Sequence, residues 1–309
     1  MSGAGGPEGR DGSGGSGGIE DGGGGAAPAL TWGHCRIGGG APAVVVSLTG
    51  PTAAHVRRQA QRAVRAGADV LELRVDLLEE VRRALGEERH PRVSSLRAVT
   101  DCVLETLTQV EAAAAAASGV PVLLTCRTAA EGGRASLGDA GYAVLMRLLL
   151  DELASWEPRR RPVAVDIEVR RGCLPEVAAR ARDLGVDVVG SFHDFEGTPA
   201  DADLEEVLDR MVREGGDLAK IAVWPASAED VARLLGVTAR AAASLPVPVA
   251  AMSMGALGMI SRVAAVFGSA LTFAVVPDEE GCIEASAPGQ LPIDEVRRCL
   301  SLLGGRPIG

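Results

Sequence analysis

Lysine is almost missing from this chain: of 31 basic residues, one is lysine, Lys220, and the rest are arginine. Aromatic residues are scarce at 3%, which leaves Val, Leu, Ile and Ala to build whatever core there is. The six cysteines, Cys35, Cys102, Cys126, Cys173, Cys282 and Cys299, show no Cys-x-x-Cys pair and no Cys/His metal spacing. A zinc module is therefore excluded, no metal is expected, and free thiols in a reducing cytosol are the better reading. No apolar stretch reaches membrane-span length without a charge or a turn residue, and no signal-peptide pattern opens the chain. A cytoplasmic protein without a membrane partner is expected. Excess positive charge is absent too. The formal net charge of −10 argues against broad nucleic-acid or anionic-membrane binding, so an anionic small molecule would bind only where arginines converge.

What the chain does have is apolar bulk. Hydrophobic residues make up 47% and charged residues 23% of 309, enough for one large barrel or two ordinary domains. Residues 1–29 stand apart, since 13 of them are glycine. Such a segment buries too little apolar surface to offset its ordering entropy, and a disordered tail is expected there. From residue 43 onward, short β-branched runs alternate with amphipathic stretches rich in Ala, Leu and Arg. The pattern predicts strands at Ala43–Leu48, Asp69–Val75, Val120–Cys126, Val163–Val169, Val186–His193, Leu218–Val223, Val247–Ser253 and Ala270–Val276. Helices are predicted at Thr52–Ala66, Ala98–Ser118, Gly141–Ser155, Cys173–Leu184, Ala202–Glu214, Ser227–Ser244 and Ile293–Leu303, with a short one near Ile260–Phe267.

Strands buried on both faces and separated by helices imply a parallel sheet. Eight such units match an α/β (β/α)8 TIM barrel, a single catalytic domain over residues 30–309. A doubly wound sheet would carry a Gly-rich phosphate turn after its first strand, and the turn here reads Ser47-Leu-Thr-Gly-Pro-Thr52 instead. Thr31–Gly40 is expected to cap the barrel floor.

Functional residues of a barrel collect at the C-terminal ends of its strands. Ser47 ends the first run. Glu72, Arg74 and Asp76 share one face of the second by their period-two spacing. Arg127 ends the third run, with Glu131-Gly-Gly just beyond. Asp166 and Glu168 lie on the fourth, His193 ends the fifth, Lys220 lies in the sixth, and Arg262 follows the seventh. A buried lysine can lose its proton and become a nucleophile, which an arginine does not. Lys220 is therefore a candidate Schiff-base former; its plain alternative is a lysine whose head snorkels to solvent. Glu72 and Arg74 could equally be a structural ion pair. A lone His193 is more often structural, but beside a buried lysine it becomes a plausible general acid/base.

Taken in order, several segments resemble the type I 3-dehydroquinate dehydratases, the Schiff-base class of that shikimate-pathway enzyme. They are Val-Ser-Leu-Thr-Gly50, Glu72-Leu-Arg-Val-Asp76, Cys-Arg127-Thr-Ala-Ala-Glu131-Gly-Gly, Ser-Phe-His193-Asp-Phe and Lys220-Ile-Ala-Val. Met-Ser-Met-Gly-Ala-Leu-Gly-Met-Ile-Ser-Arg262, Phe-Gly-Ser-Ala-Leu-Thr-Phe273 and Ala-Ser286-Ala-Pro-Gly-Gln290 complete the set. The resemblance runs from about residue 30 to the end. It implies a lyase of aromatic amino-acid biosynthesis that removes water from 3-dehydroquinate to give 3-dehydroshikimate. It further implies that Lys220 forms the imine, His193 is the general acid/base and Glu131 assists near the imine. Ser47, Glu72, Arg74, Arg127, Arg262, Ser286 and Gln290 would bind substrate. No cofactor is implied, and a homodimer is. Two features depart from the family pattern: the Arg262–Phe267 interval is one residue shorter, and the stretch Pro277–Cys282 before Ser286 is longer. The rival readings are a class I aldolase or transaldolase, which would bind a sugar phosphate at a Gly-rich site after the last strands, and a binding barrel without activity.

Overall fold

Alternate residues along the apolar runs fall into two separate hydrophobic clusters, and that division makes the barrel. The structure, a computed structural model, describes residues 1–3, 28–86, 90–115 and 119–303. It opens with an antiparallel hairpin, β1 (Leu30–Trp32) and β2 (Cys35–Ile37). Eight strands follow: β3 (Ala43–Leu48), β4 (Val70–Arg74), β5 (Val122–Thr125), β6 (Ala164–Glu168), β7 (Asp187–Asp194), β8 (Leu218–Val223), β9 (Val249–Ser253) and β10 (Leu271–Val275). Between and after them run α1 (Ala53–Arg65), α2 (Glu79–Leu85), α3 (Val93–Ala115), α4 (Asp139–Leu153), α5 (Leu174–Leu184), α6 (Asp201–Arg213), α7 (Ala228–Ser244) and α8 (Ile293–Leu303). A two-residue strand, β11 (Leu291–Pro292), adds to the outside of β10.

Parallel ladders join β10 to β3 and then β3 through β9 in chain order. The seam from β9 to β10 carries no ladder. It closes through Ala270 N donating to Val249 O at 2.7 Å and Ala251 N donating to the Ser269 hydroxyl at 3.3 Å. The result is the expected (β/α)8 barrel, zipped along seven seams and stitched at the eighth. Val45, Val70, Leu123, Ala164, Val189, Leu218, Ala250 and Leu271 fill the lower lumen. Their chain neighbours, among them Val44, Leu71, Leu124, Val165, Val188 and Ala219, pack outward under the helices. A period of two, buried on both faces, is what a parallel sheet under helices requires.

The β1–β2 hairpin plugs the floor, as expected for Thr31–Gly40. Trp32 and Ile37 are buried in the lumen cluster. The indole N–H of Trp32 donates to the Asp187 carboxylate at 2.7 Å, so its one polar atom is not stranded. The expected strands all form, within a few residues of their expected ends. Helix α2 was not expected: at seven residues it is too short to display a 3.6-residue period. Helix α3 begins at Val93, earlier than the expected Ala98, while residues 116–118 of the expected helix lie outside the described residues.

The short helix expected near Ile260–Phe267 is instead two 3-10 turns, Leu257–Arg262 and Ala265–Phe267. Contact with β9 accounts for this. A side chain at Gly258 would sit 2.1 Å from the Ser253 carbonyl oxygen, and the Ser261 hydroxyl accepts from Ser253 N at 2.9 Å. Pinned so closely, the segment cannot rise into an α-helix. The disorder expected of the Gly-rich segment falls mainly on residues 4–27, outside those described. Among the described residues, no helix is long and apolar enough to cross a membrane.

Because Trp32 is buried between the hairpin and the lumen, Trp32→Ala should destabilise the protein by about 3–5 kcal/mol. Urea unfolding measures this; a wild-type midpoint would mean that the hairpin adds nothing to the core.

Candidate active site

Strand register decides which polar side chains meet. Above the apolar floor the inward positions turn polar, and Ser47 lies beside Glu72, Arg74 beside Thr125 and Thr125 beside Asp166. Glu168 lies beside Ser191, and Ser191 beside Lys220. Nine charged residues are buried here: the acids Glu72, Asp76, Glu131, Asp166 and Glu168, and the bases Arg74, Arg127, Lys220 and Arg262.

Arg127 is the hub. Its guanidinium donates to Asp166 at 2.8 Å, to Glu168 at 3.2 Å and to the Ser191 hydroxyl at 3.0 Å, and it lies 3.6 Å from Glu131. Arg74 makes a two-pronged pair with Asp76 at 2.8 and 2.9 Å. Asp76 also accepts from the backbone N–H groups of Arg127 and Arg134, which ties the loop after β5 to β4. That loop turns on Gly133, where a side chain would lie 2.1 Å from the Arg127 carbonyl oxygen. Only glycine permits this approach, and it brings Glu131 inward.

Lys220 reaches into the same space. Its ammonium nitrogen is 3.1 Å from Asp166 and 3.9 Å from Glu72, and it sits 4.6 Å from the centre of the Phe273 ring. Burial by itself would raise the Asp166 pKa. Arg127 and Lys220, with the Ser191 hydroxyl, overcome that and hold it below its ordinary 3.8. Glu72 is held by the Ser47 hydroxyl at 2.5 Å and the Thr125 hydroxyl at 2.9 Å.

The five acids outnumber the four bases, so the cluster can reach neutrality by holding one proton. Glu131 is the group disposed to hold it. Burial, and then the like charge of Glu168, push its pKa up to about 8 against the pull of Arg127. Its Oε2 accepts from the His193 backbone N–H and faces His193 Nδ1, both at 3.0 Å. His193 is pushed well below its ordinary 6.5, by burial first and then by Arg127, Lys220 and Arg74. Near neutral pH the pair therefore favours a neutral imidazole beside a protonated carboxyl group. With the carboxyl proton on Oε1, Oε2 accepts from Nδ1–H, and Nε2 is left as the unprotonated ring nitrogen.

Opposite them, Arg262 is 2% exposed and, among the described residues, has no carboxylate partner. It donates once, to the Pro288 carbonyl at 2.9 Å, and its Nε has no partner. Burial lowers its pKa to about 10. Glu131 Oε1 is likewise without a partner. A buried, unpaired guanidinium is costly in an empty pocket and suits an anion entering it. Ser286 and Gln290 roof the cavity from the loop after β10. The Ser286 hydroxyl donates to that of Ser47 at 2.8 Å, and the Gln290 side chain bonds Ser286 at both its N–H and its hydroxyl.

Of the residues singled out from sequence, Glu72, Arg74, Arg127, Glu131, His193, Lys220, Arg262, Ser286 and Gln290 all line this one cavity. Ser47 adjoins it through Ser286. Asp166 received no role from sequence, although its alternate-position spacing with Glu168 was visible; only the register sets it against Lys220. Met252 and Phe273 also form part of the wall.

Fold and cavity together define a (β/α)8-barrel enzyme, with its site at the C-terminal ends of the strands. Residues 44–307 match the family described as type I 3-dehydroquinase. A 3-dehydroquinate dehydratase of Listeria monocytogenes is 34% identical over 271 residues, covering 87% of this chain and 96% of its own. The crystal structure of 3-dehydroquinate dehydratase from Geobacillus kaustophilus is 32% identical with a TM-score of 0.75, over 90% of this chain and 97% of its own. A type I 3-dehydroquinate dehydratase of Clostridium difficile, described with covalently modified comenic acid, is 29% identical with a TM-score of 0.74, over 89% of this chain and 98% of its own. This chain belongs to the type I 3-dehydroquinate dehydratase family. It is accordingly a hydro-lyase of the shikimate pathway and of aromatic biosynthesis.

Asp166→Asn leaves Arg127 and Lys220 short of a buried counter-charge and should destabilise the protein by about 3–5 kcal/mol at pH 7. Because the folded pKa of Asp166 is depressed, its contribution is present above the ordinary 3.8 and is lost as pH falls through the lower folded value. The gap between wild type and variant in urea unfolding should thus narrow in acid; a gap of constant size would show that the charge is not what matters.

Proposed function

We propose that this enzyme dehydrates 3-dehydroquinate to 3-dehydroshikimate through an imine on Lys220. The observation carrying this reading is that the chain's single lysine is buried in the same cavity as His193 and the unpaired Arg262. Lys220 lends its ammonium proton to the adjoining carboxylates and attacks the ring ketone as the neutral amine; that proton is returned as water leaves, which gives a protonated imine. His193 Nε2 takes a proton from the adjacent carbon, and the C–H electrons move into the iminium to give an enamine. The enamine returns those electrons and expels the hydroxyl group at the next carbon, which leaves as water with the proton held on His193. Hydrolysis of the remaining imine consumes one water, the one released when the imine formed, and frees Lys220 and product. The net change is loss of one water.

Arg262 pairs with the substrate carboxylate, since it alone of the cavity's guanidinium groups lacks an acidic partner. Ser47, Glu72, Arg74 and Arg127 bind and orient the ring hydroxyls, and Ser286 and Gln290 cover it. Glu131 is a positioning group, fixing the His193 ring from its Nδ1 side. A class I aldolase reading is weaker, because the loop after β10 carries Ser-Ala-Pro-Gly-Gln where a sugar phosphate would need a Gly-rich cradle.

We further propose a cytoplasmic homodimer with residues 1–29 as a tail outside the catalytic domain 30–309. Free cysteines among the described residues support the reducing compartment. The family resemblance supports the dimer, as do the exposed Leu257, Ile260 and Val266. Light scattering of the full chain and of a chain lacking the tail should give a dimer in both; a monomer would remove that assignment.

Borohydride reduction in the presence of 3-dehydroquinate, followed by peptide mass spectrometry, tests the chemistry. A substrate adduct is expected on Lys220, and Lys220→Ala should lose both adduct and turnover while remaining folded. His193→Ala should still trap an adduct but turn over about 10²–10⁴-fold more slowly. Normal turnover in the lysine variant would end the imine mechanism, and wild-type rates without His193 would remove it from the proton transfers.

A further inference from the structure

The attachment of the loop that roofs the cavity runs well beyond Ser286. Three contacts strap it across the barrel mouth. On the β9 side, Pro288 O accepts from Gly255 N at 3.2 Å and from Arg262 at 2.9 Å. In the middle, Ser286 bonds Ser47. On the β3 side, two residues before Ser286, the Glu284 carboxylate accepts from the Gln59 side-chain amide at 2.8 Å and from the Thr49 hydroxyl at 3.3 Å, with His55 Nε2 at 3.8 Å.

The receiving side is built for this contact. The Gln59 carbonyl oxygen accepts from Thr49 N at 2.9 Å and Gly50 N at 2.8 Å, which turns its NH2 outward to Glu284. Gln59 thus ties helix α1 to the backbone just after β3, two residues beyond Ser47. His55, in the first turn of α1, faces the same carboxylate. Further back in the loop, the Asp278 carboxylate accepts from Glu280 N at 2.9 Å and Cys282 N at 2.7 Å, folding residues 278–282 into a tight turn that delivers Glu284 to the rim.

We propose that Glu284 is a positioning residue for the dehydration. It latches the roof loop to Gln59 and Thr49, so that Ser286 and Gln290 stand over the bound substrate. This rests on the reading of Ser286 and Gln290 as substrate-covering residues. Glu284 touches neither the cavity nor any group that moves a proton, so its effect falls on how tightly substrate is held.

The test compares steady-state kinetics of Glu284→Ala, Gln59→Ala, the double variant and Ser286→Ala in the full-length enzyme. Glu284→Ala should raise KM for 3-dehydroquinate about fivefold, the scale of one net hydrogen bond to a part-exposed carboxylate, with kcat changed less than about twofold. The double variant should be no worse than Gln59→Ala alone, since both remove the same contact. Borohydride trapping on Lys220 at saturating substrate should be undiminished. A wild-type KM in Glu284→Ala alongside a raised KM in Ser286→Ala overturns the latch and leaves the roof. A wild-type KM in both overturns the roof reading itself. Effects of Glu284→Ala and Gln59→Ala that multiply in the double variant overturn the pairing between them.

Discussion

Everything in the barrel mouth depends on the guanidinium of Arg127. Three carboxylates, Asp166 and Glu168 of β6 and Glu131 of the loop after β5, come within 3.6 Å of it. In a lumen closed to water, like charges so close together would drive the strands apart or take up protons. Arg127 prevents this with a planar fork that serves several acceptors at once, a geometry a lysine could not supply. Asp166, held anionic in this way, can face Lys220. Glu131, pushed the other way by burial and by Glu168, can hold a proton beside His193. Arg127 thus holds Asp166 anionic, while burial and Glu168 push Glu131 the other way against the pull of the same cation.

That arrangement is rigid because Asp166 and Glu168 sit on β6 and the loop carrying Arg127 and Glu131 is pinned to the strands around it. The Asp76 carboxylate clamps Arg74 and the loop after β5 together, and Thr128 donates to Glu168 from both its backbone N–H and its hydroxyl. The roof is different. It is a loop held by hydrogen bonds to partly exposed groups, and loops so held are where opening is least costly. The division suits an enzyme that must keep charge geometry fixed and yet admit and release a small molecule. Arg262 links the two parts, being fixed in the wall and bonded to the roof through Pro288.

Much of this was legible in the chain. Eight β-branched runs separated by amphipathic stretches, with no Gly-rich phosphate turn after the first, lead to a parallel barrel rather than a doubly wound sheet. The lone lysine stood out because arginine replaces it everywhere else. Spacing of two between Glu72 and Arg74 already put them on one face. Three things were hidden. The seven residues of α2 were too few to show a period. The 3-10 turns after β9 arise from contact between Gly258 and Ser253, which lie five residues apart but meet only through the fold. The role of Asp166 required knowing that β6 and β8 both flank β7, which places its carboxylate against Lys220.

The sequence by itself determined the barrel, the strand ends at which polar residues gather and the nature of the reacting groups, because periodicity and residue chemistry are local properties. Tertiary structure decided which charges pair. Arg127 and Arg262 are both buried arginines beside barrel strands, and nothing nearby in the chain distinguishes them. One is saturated by carboxylates of the neighbouring strand β6, and among the described residues the guanidinium of the other meets a carbonyl group of the roof and no carboxylate. That difference, which leaves one guanidinium free for an anion, comes from strand register and loop closure across long separations in the chain, where local pattern carries no information.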